Sequence, residues 1–87
     1  MEFSFTQEER DNVLNYCTLR EDIKKRFRKL AAVGSLITVV FDKSEANEML
    51  TSLSQATIEV SGDTDIKKKF EDLHDRFKLK YNEVFQK

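Results

Sequence analysis

The sequence predicts a mainly α fold, α+β at its margin: two strand–helix–helix units with internal pseudo-symmetry, their helices packed with a short two-stranded β element. Three observations predict it. Apolar residues recur at spacings of three and four over most of the chain, Pro is absent and Gly occurs twice, and two sequence blocks repeat. With 87 residues, seven of them Phe, the chain suits one domain that buries roughly 60–65% of its unfolded surface. The expected units are 1–34 and 35–87.

The first repeat lays residues 3–17, FSFTQEERDNVLNYC, on residues 39–53, VVFDKSEANEMLTSL. Phe5 falls on Phe41, Glu9 on Glu45, Val13 on Met49 and Leu14 on Leu50, a spacing of 36 residues. Thr6 falls on Asp42, and each is followed three residues later by Glu. This is the capping-box pattern, in which the cap side chain accepts from a first-turn amide and the Glu reaches back to the cap nitrogen. Upstream of each cap, Phe3 and Phe5 alternate in one copy, and Val39 and Phe41 in the other, predicting two short strands. A local two-fold axis would make those strands antiparallel.

Helices follow each strand. Ala46, Met49, Leu50, Leu53, Ala56 and Val60 mark one helical face, with Gly62 as its C′ residue and Asp63 or Thr64 capping the next helix. That helix carries Ile66, Phe70, Leu73, Phe77, Tyr81 and Val84. The second repeat sets DIKKRFRKL (22–30) on DIKKKFEDL (65–73), so that Ile23, Phe27 and Leu30 match Ile66, Phe70 and Leu73 at a spacing of 43. The change from 36 to 43 puts seven extra residues, about two turns, between the helices of the second unit. Gly34 ends the helix of the first unit. Residues 7–33 read either as one long helix or as two broken near Thr18, where Thr18 and Glu21 can form a cap; the break is the expectation.

Composition restricts function. Net charge is −1 and 36% of residues are charged, which fits solvated helix faces better than a dedicated polyanion binder. Cys17 stands alone, so no intramolecular disulfide forms. Residues 1–20 hold Glu2, Glu8, Glu9 and Asp11 and lack the apolar core of a signal peptide. The apolar run LITVVF (36–41) is far below the ~20 residues that cross a bilayer. The expected location is the cytoplasm, with no membrane association.

Chemistry-bearing patterns are sparse. Glu71 and His74 have the Glu-x-x-His spacing of di-iron bundles, which need two such pairs; the matched residues in the first unit are Arg28 and Ala31. His74 therefore reads as a surface residue and no metal or other cofactor is expected. Cys17 falls on the apolar side near Val13 and Leu14, where a thiol behaves as a small hydrophobe. Gly34 and Gly62 are isolated, so no phosphate-cradling loop is encoded. The chain reads as a non-enzyme.

Two surfaces remain. Phe77, Leu79, Tyr81, Val84 and Phe85 exceed what one narrow stripe needs and are the candidate self- or partner interface. Lys24, Lys25, Arg28 and Lys29, with Arg26 at the flank, form a basic face that could contact phosphates; Glu71 and Asp72 replace Arg28 and Lys29 in the other copy. The expected function is a small protein–protein interaction or assembly module, homodimeric, with LITVVF as a possible edge for another strand. The alternative is a nucleic-acid-associated regulator using the basic face. No small-molecule substrate is expected.

Overall fold

A computed structural model describes residues 1–29 and 36–86. These form, in order, β1 (Glu2–Thr6), α1 (Gln7–Tyr16), α2 (Glu21–Lys29), β2 (Leu36–Val40), α3 (Lys43–Glu59) and α4 (Thr64–Phe85). The described chain is mostly helical, and β1 pairs antiparallel with β2. The helix break near Thr18 is present. The expected helix end at Gly34 and core position at Leu30 lie outside the described residues, as does the boundary between the expected units.

Both capping boxes form as the sequence predicts. Thr6 accepts from the Glu9 amide (3.1 Å) while Glu9 accepts from the Thr6 amide (2.9 Å). Asp42 and Glu45 repeat this at 2.7 and 2.9 Å. Asp63, rather than Thr64, caps α4 by accepting from Ile66. Two local expectations change. Thr18 does not sit at the cap of α2, because that helix starts at Glu21 and the Arg20 carbonyl already accepts from Lys24; the Thr18 carbonyl instead accepts from Ser52 Oγ at 2.9 Å. Gly62 is not the C′ residue, since α3 is C-capped at Val60. The turn is closed by the Asp63 amide donating to the Val60 carbonyl at 2.8 Å, and space for a Cβ at Gly62 is open.

Pleating sends Phe3, Phe5, Ile37 and Val39 to one side of the sheet. There Phe5, Ile37 and Val39 are buried. The opposite side holds Glu2, Ser4 and Thr6 of β1 and Leu36, Thr38 and Val40 of β2. Under the inner face, Phe5 meets Phe27 of α2 (5.1 Å between ring centroids), and Phe41 meets Phe77 of α4 (5.5 Å). Phe5 and Phe41 touch at 6.3 Å, and Phe3 adds contacts to Phe5 and Phe77 at 4.9 Å. Each such edge or tilted pair adds about 0.5–1.5 kcal/mol beyond burial.

The α3–α4 hairpin provides the rest of the core. Ala46, Met49, Leu53, Ala56 and Val60 of α3 and its cap are buried, as are Phe70, Leu73, Phe77 and Tyr81 of α4. These residues follow the three-and-four spacing, so each helix presents one stripe. No helix among the described residues is long and apolar enough to cross a membrane.

Candidate functional site

Glu71 and His74 line one shallow groove, whereas Cys17 lies in the core. Cys17 is buried, and desolvation, reinforced by the Glu59 charge, pushes its thiol up to about 12. A thiol that high is not a nucleophile at neutral pH. His74 lies in a shallow groove between α3 and α4 beside Ser54 and Ile58, with Nδ1 3.6 Å from Asp75 Oδ1. Glu71 faces Lys67 at 3.9 Å. Among the described residues no three His, Cys, Asp or Glu side chains gather as a metal would need.

The expected apolar interface divides. Phe77 and Tyr81 belong to the chain's own core, at 0% and 5% exposure, so they are not available to a partner. Phe77 packs on Phe3 and Phe41, and Tyr81 joins the same buried cluster. Phe85 is half-buried against Tyr81, 5.2 Å away. Leu79 and Val84 are exposed, at 63% and 41%. The basic face is also thinned. Arg28 reaches Glu21 at 3.4 Å, and Arg26 is engaged by Glu45. Lys24 is half-buried and Lys25 exposed, neither in an ion pair among the described residues, and the Lys29 side chain lies outside them.

The outer side of the sheet is a further exposed surface. Leu36 and Val40 are 48% and 59% exposed, on either side of Thr38, whose Oγ1 meets Ser4 Oγ at 2.9 Å. Backbone directions follow from the hydrogen bonds at the sheet's end. The Phe41 amide donates to the Met1 carbonyl (2.7 Å) and the Met1 nitrogen to the Phe41 carbonyl (2.8 Å). Bonded and non-bonded pairs alternate in an antiparallel ladder. Phe3 with Val39 and Phe5 with Ile37 are thus bonded pairs, while the backbone groups of Leu36, Thr38 and Val40 point away from β1, to an edge of β2 that no other described strand covers.

No family model, curated protein or solved structure matches this chain.

At that edge sits Arg26, from the flank of the basic face. Its Nη1 donates to the Val40 carbonyl at 3.3 Å and its Nη2 lies 2.5 Å from Glu45 Oε2. Glu45 is buried, at 5% exposure. Hydrogen bonding from Arg26, more than the Asp42 amide, holds the Glu45 carboxyl below the usual glutamate range; the same bond raises the Arg26 guanidinium. One side chain thus joins α2, the first turn of α3 and the edge of β2. The signal for Glu45 was the capping box, whereas nothing local marks Arg26 among its basic neighbours.

Proposed function

We propose that this chain is a small non-enzymatic assembly module that pairs with a second copy through the free edge of β2. The observation that carries this reading is the outward row Leu36–Thr38–Val40: uncharged, apolar at both ends, and flanked by backbone groups that β1 does not use. An open edge of that kind recruits another strand. Because the row has similar character on either side of Thr38, antiparallel pairing of two copies sets Leu36 against the partner's Val40 around a two-fold axis, the isologous arrangement of most dimers. The absence of charge lets identical rows meet without repulsion.

Light scattering behind a sizing column should then give a molar mass that rises with concentration from the 10.2 kDa of the monomer toward twice that value. Thr38→Pro removes an outward amide that the β1–β2 ladder leaves free, and Pro is tolerated on edges. The variant should stay monomeric with its helical circular dichroism intact. A wild-type monomer at millimolar concentration, or a dimer indifferent to Thr38→Pro, overturns the reading. Leu79 and Val84 are the remaining exposed part of the C-terminal candidate interface; loss of the dimer in Leu79→Glu would move the contact to α4. A cytoplasmic location suits the free Cys17 thiol.

We also propose that the two strand–helix–helix units are related by an approximate two-fold axis. Supporting this, Phe3 and Val39 are equivalent at the spacing of 36 and are also paired to each other, as an axis through that pair requires. Arg26 engages Glu45 and Arg76 engages Glu9, the two equivalent capping-box residues, while Phe27 meets Phe5 and Phe77 meets Phe41. Those contacts equate EDIKKRF (21–27) with EDLHDRF (71–77), a spacing of 50 rather than 43. On that register α3 gains residues 53–59 at its end and α4 gains 64–70 at its start. Two turns are added to each arm of the hairpin, which keeps the apolar faces in phase.

A further inference from the structure

We infer that Arg26 is a latch on the β2 edge, holding the Val40 carbonyl and so restraining the pairing of two copies. The inference rests on the edge-pairing reading and concerns its regulation. In antiparallel pairing centred on Thr38, the outward bonds are made at Thr38 and, two residues to either side, between Leu36 of one copy and Val40 of the other. The Val40 carbonyl is therefore an acceptor that the partner's Leu36 amide needs. In the single chain it is occupied by Arg26 Nη1 at 3.3 Å.

The guanidinium is aimed there by its second bond. Nη2 lies 2.5 Å from Glu45 Oε2, and Glu45 is itself fixed by its capping box, accepting from the Asp42 amide at 2.9 Å. A fork bonded at both tines is held in direction as a single contact is not. The Arg26 side chain keeps 40% exposure, so it can leave the carbonyl for water without unfolding the core beneath. Charge directed at a free edge is a recognised way of keeping strands from joining. The related Arg76 is engaged by Glu9 and Asp72 and makes no bond to β1 among the described residues, so the latch belongs to one edge.

The test measures the dimer dissociation constant of the full chain by sedimentation equilibrium for wild type, Arg26→Gln, Arg76→Gln and Arg26→Gln/Thr38→Pro. Freeing the carbonyl from a charge-assisted bond should tighten Arg26→Gln about tenfold, leave Arg76→Gln at the wild-type value, and return the double variant to monomer. Unchanged or weaker association of Arg26→Gln, with a wild-type dimer that Thr38→Pro still abolishes, overturns the latch and leaves edge pairing standing. Persistence of the dimer in the double variant overturns edge pairing itself. Should Arg26→Gln fail to fold, Arg26→Lys decides: it keeps a cation for Glu45 but loses the planar fork that reaches the Val40 carbonyl at the same time, so the dimer should tighten, and a constant or weaker dimer overturns the latch.

Discussion

Phe41→Ala should lower the unfolding free energy by about 3–5 kcal/mol, as expected when a buried aromatic ring is truncated. Small domains have only about 5–15 kcal/mol in total, so the variant should melt far below the wild type or be largely unfolded at 37 °C. The expected cost is high because of where the ring sits. Phe41 follows β2 at 1% exposure and touches Phe5, Phe27 and Phe77. Through those contacts it joins the sheet to α2 and to α4 at once. Removing it leaves a void bounded by three elements, and no single side chain can shift to fill it without losing its own contacts. Leu79→Ala is the comparison: an exposed residue of α4 whose truncation should stay within about 0.5 kcal/mol. Urea unfolding followed by far-UV circular dichroism measures both. A cost below about 1 kcal/mol for Phe41→Ala would mean that the aromatic cluster does not hold the sheet to α2 and α4.

Phe41 also illustrates what the sequence made legible. The strands, both capping boxes, the break between α1 and α2 and the buried stripes of α3 and α4 all follow from short-range patterns, because caps and amphipathic periods are local. The apolar excess near the C-terminus was visible too, but periodicity alone does not say how wide a stripe its neighbours cover; Phe77 and Tyr81 proved to be core. The match of DIKKRFRKL to DIKKKFEDL shows a related limit. Seven residues make nearly two helical turns, so an amphipathic helix resembles itself shifted by one heptad. Such an alignment preserves the apolar phase whether or not its register reflects spatial equivalence. The proposed spacing of 50 rests instead on long-range contacts, those of Arg26 and Arg76 and of Phe27 and Phe77. Arg26 was hidden for the same reason. Its partners Glu45 and Val40 are distant in sequence, and its basic neighbours make a solvated face the simplest reading.

Glu45→Gln tests that arrangement through pH. At pH 7 the substitution keeps the side-chain oxygen that can accept from Asp42 but removes the charge facing Arg26. The expected loss is about 1–2 kcal/mol, the range of a charge-assisted hydrogen bond reduced because the Arg26 side chain is 40% exposed and water offsets part of the attraction. Hydrogen bonding from Arg26 holds the Glu45 carboxyl below the ordinary value of 4.5. A carboxyl whose folded pKa is depressed stabilises the fold fully above its unfolded pKa, and that stabilisation disappears as pH falls through the folded value. Thermal melts of wild type and Glu45→Gln should therefore differ by a constant amount from pH 8 to about 5 and converge below 4.5, once protonation gives Glu45 the neutrality of the glutamine. A difference that persists undiminished to pH 3 would show that the glutamate acts through shape and capping alone, and that its charge has no part in holding Arg26 in place.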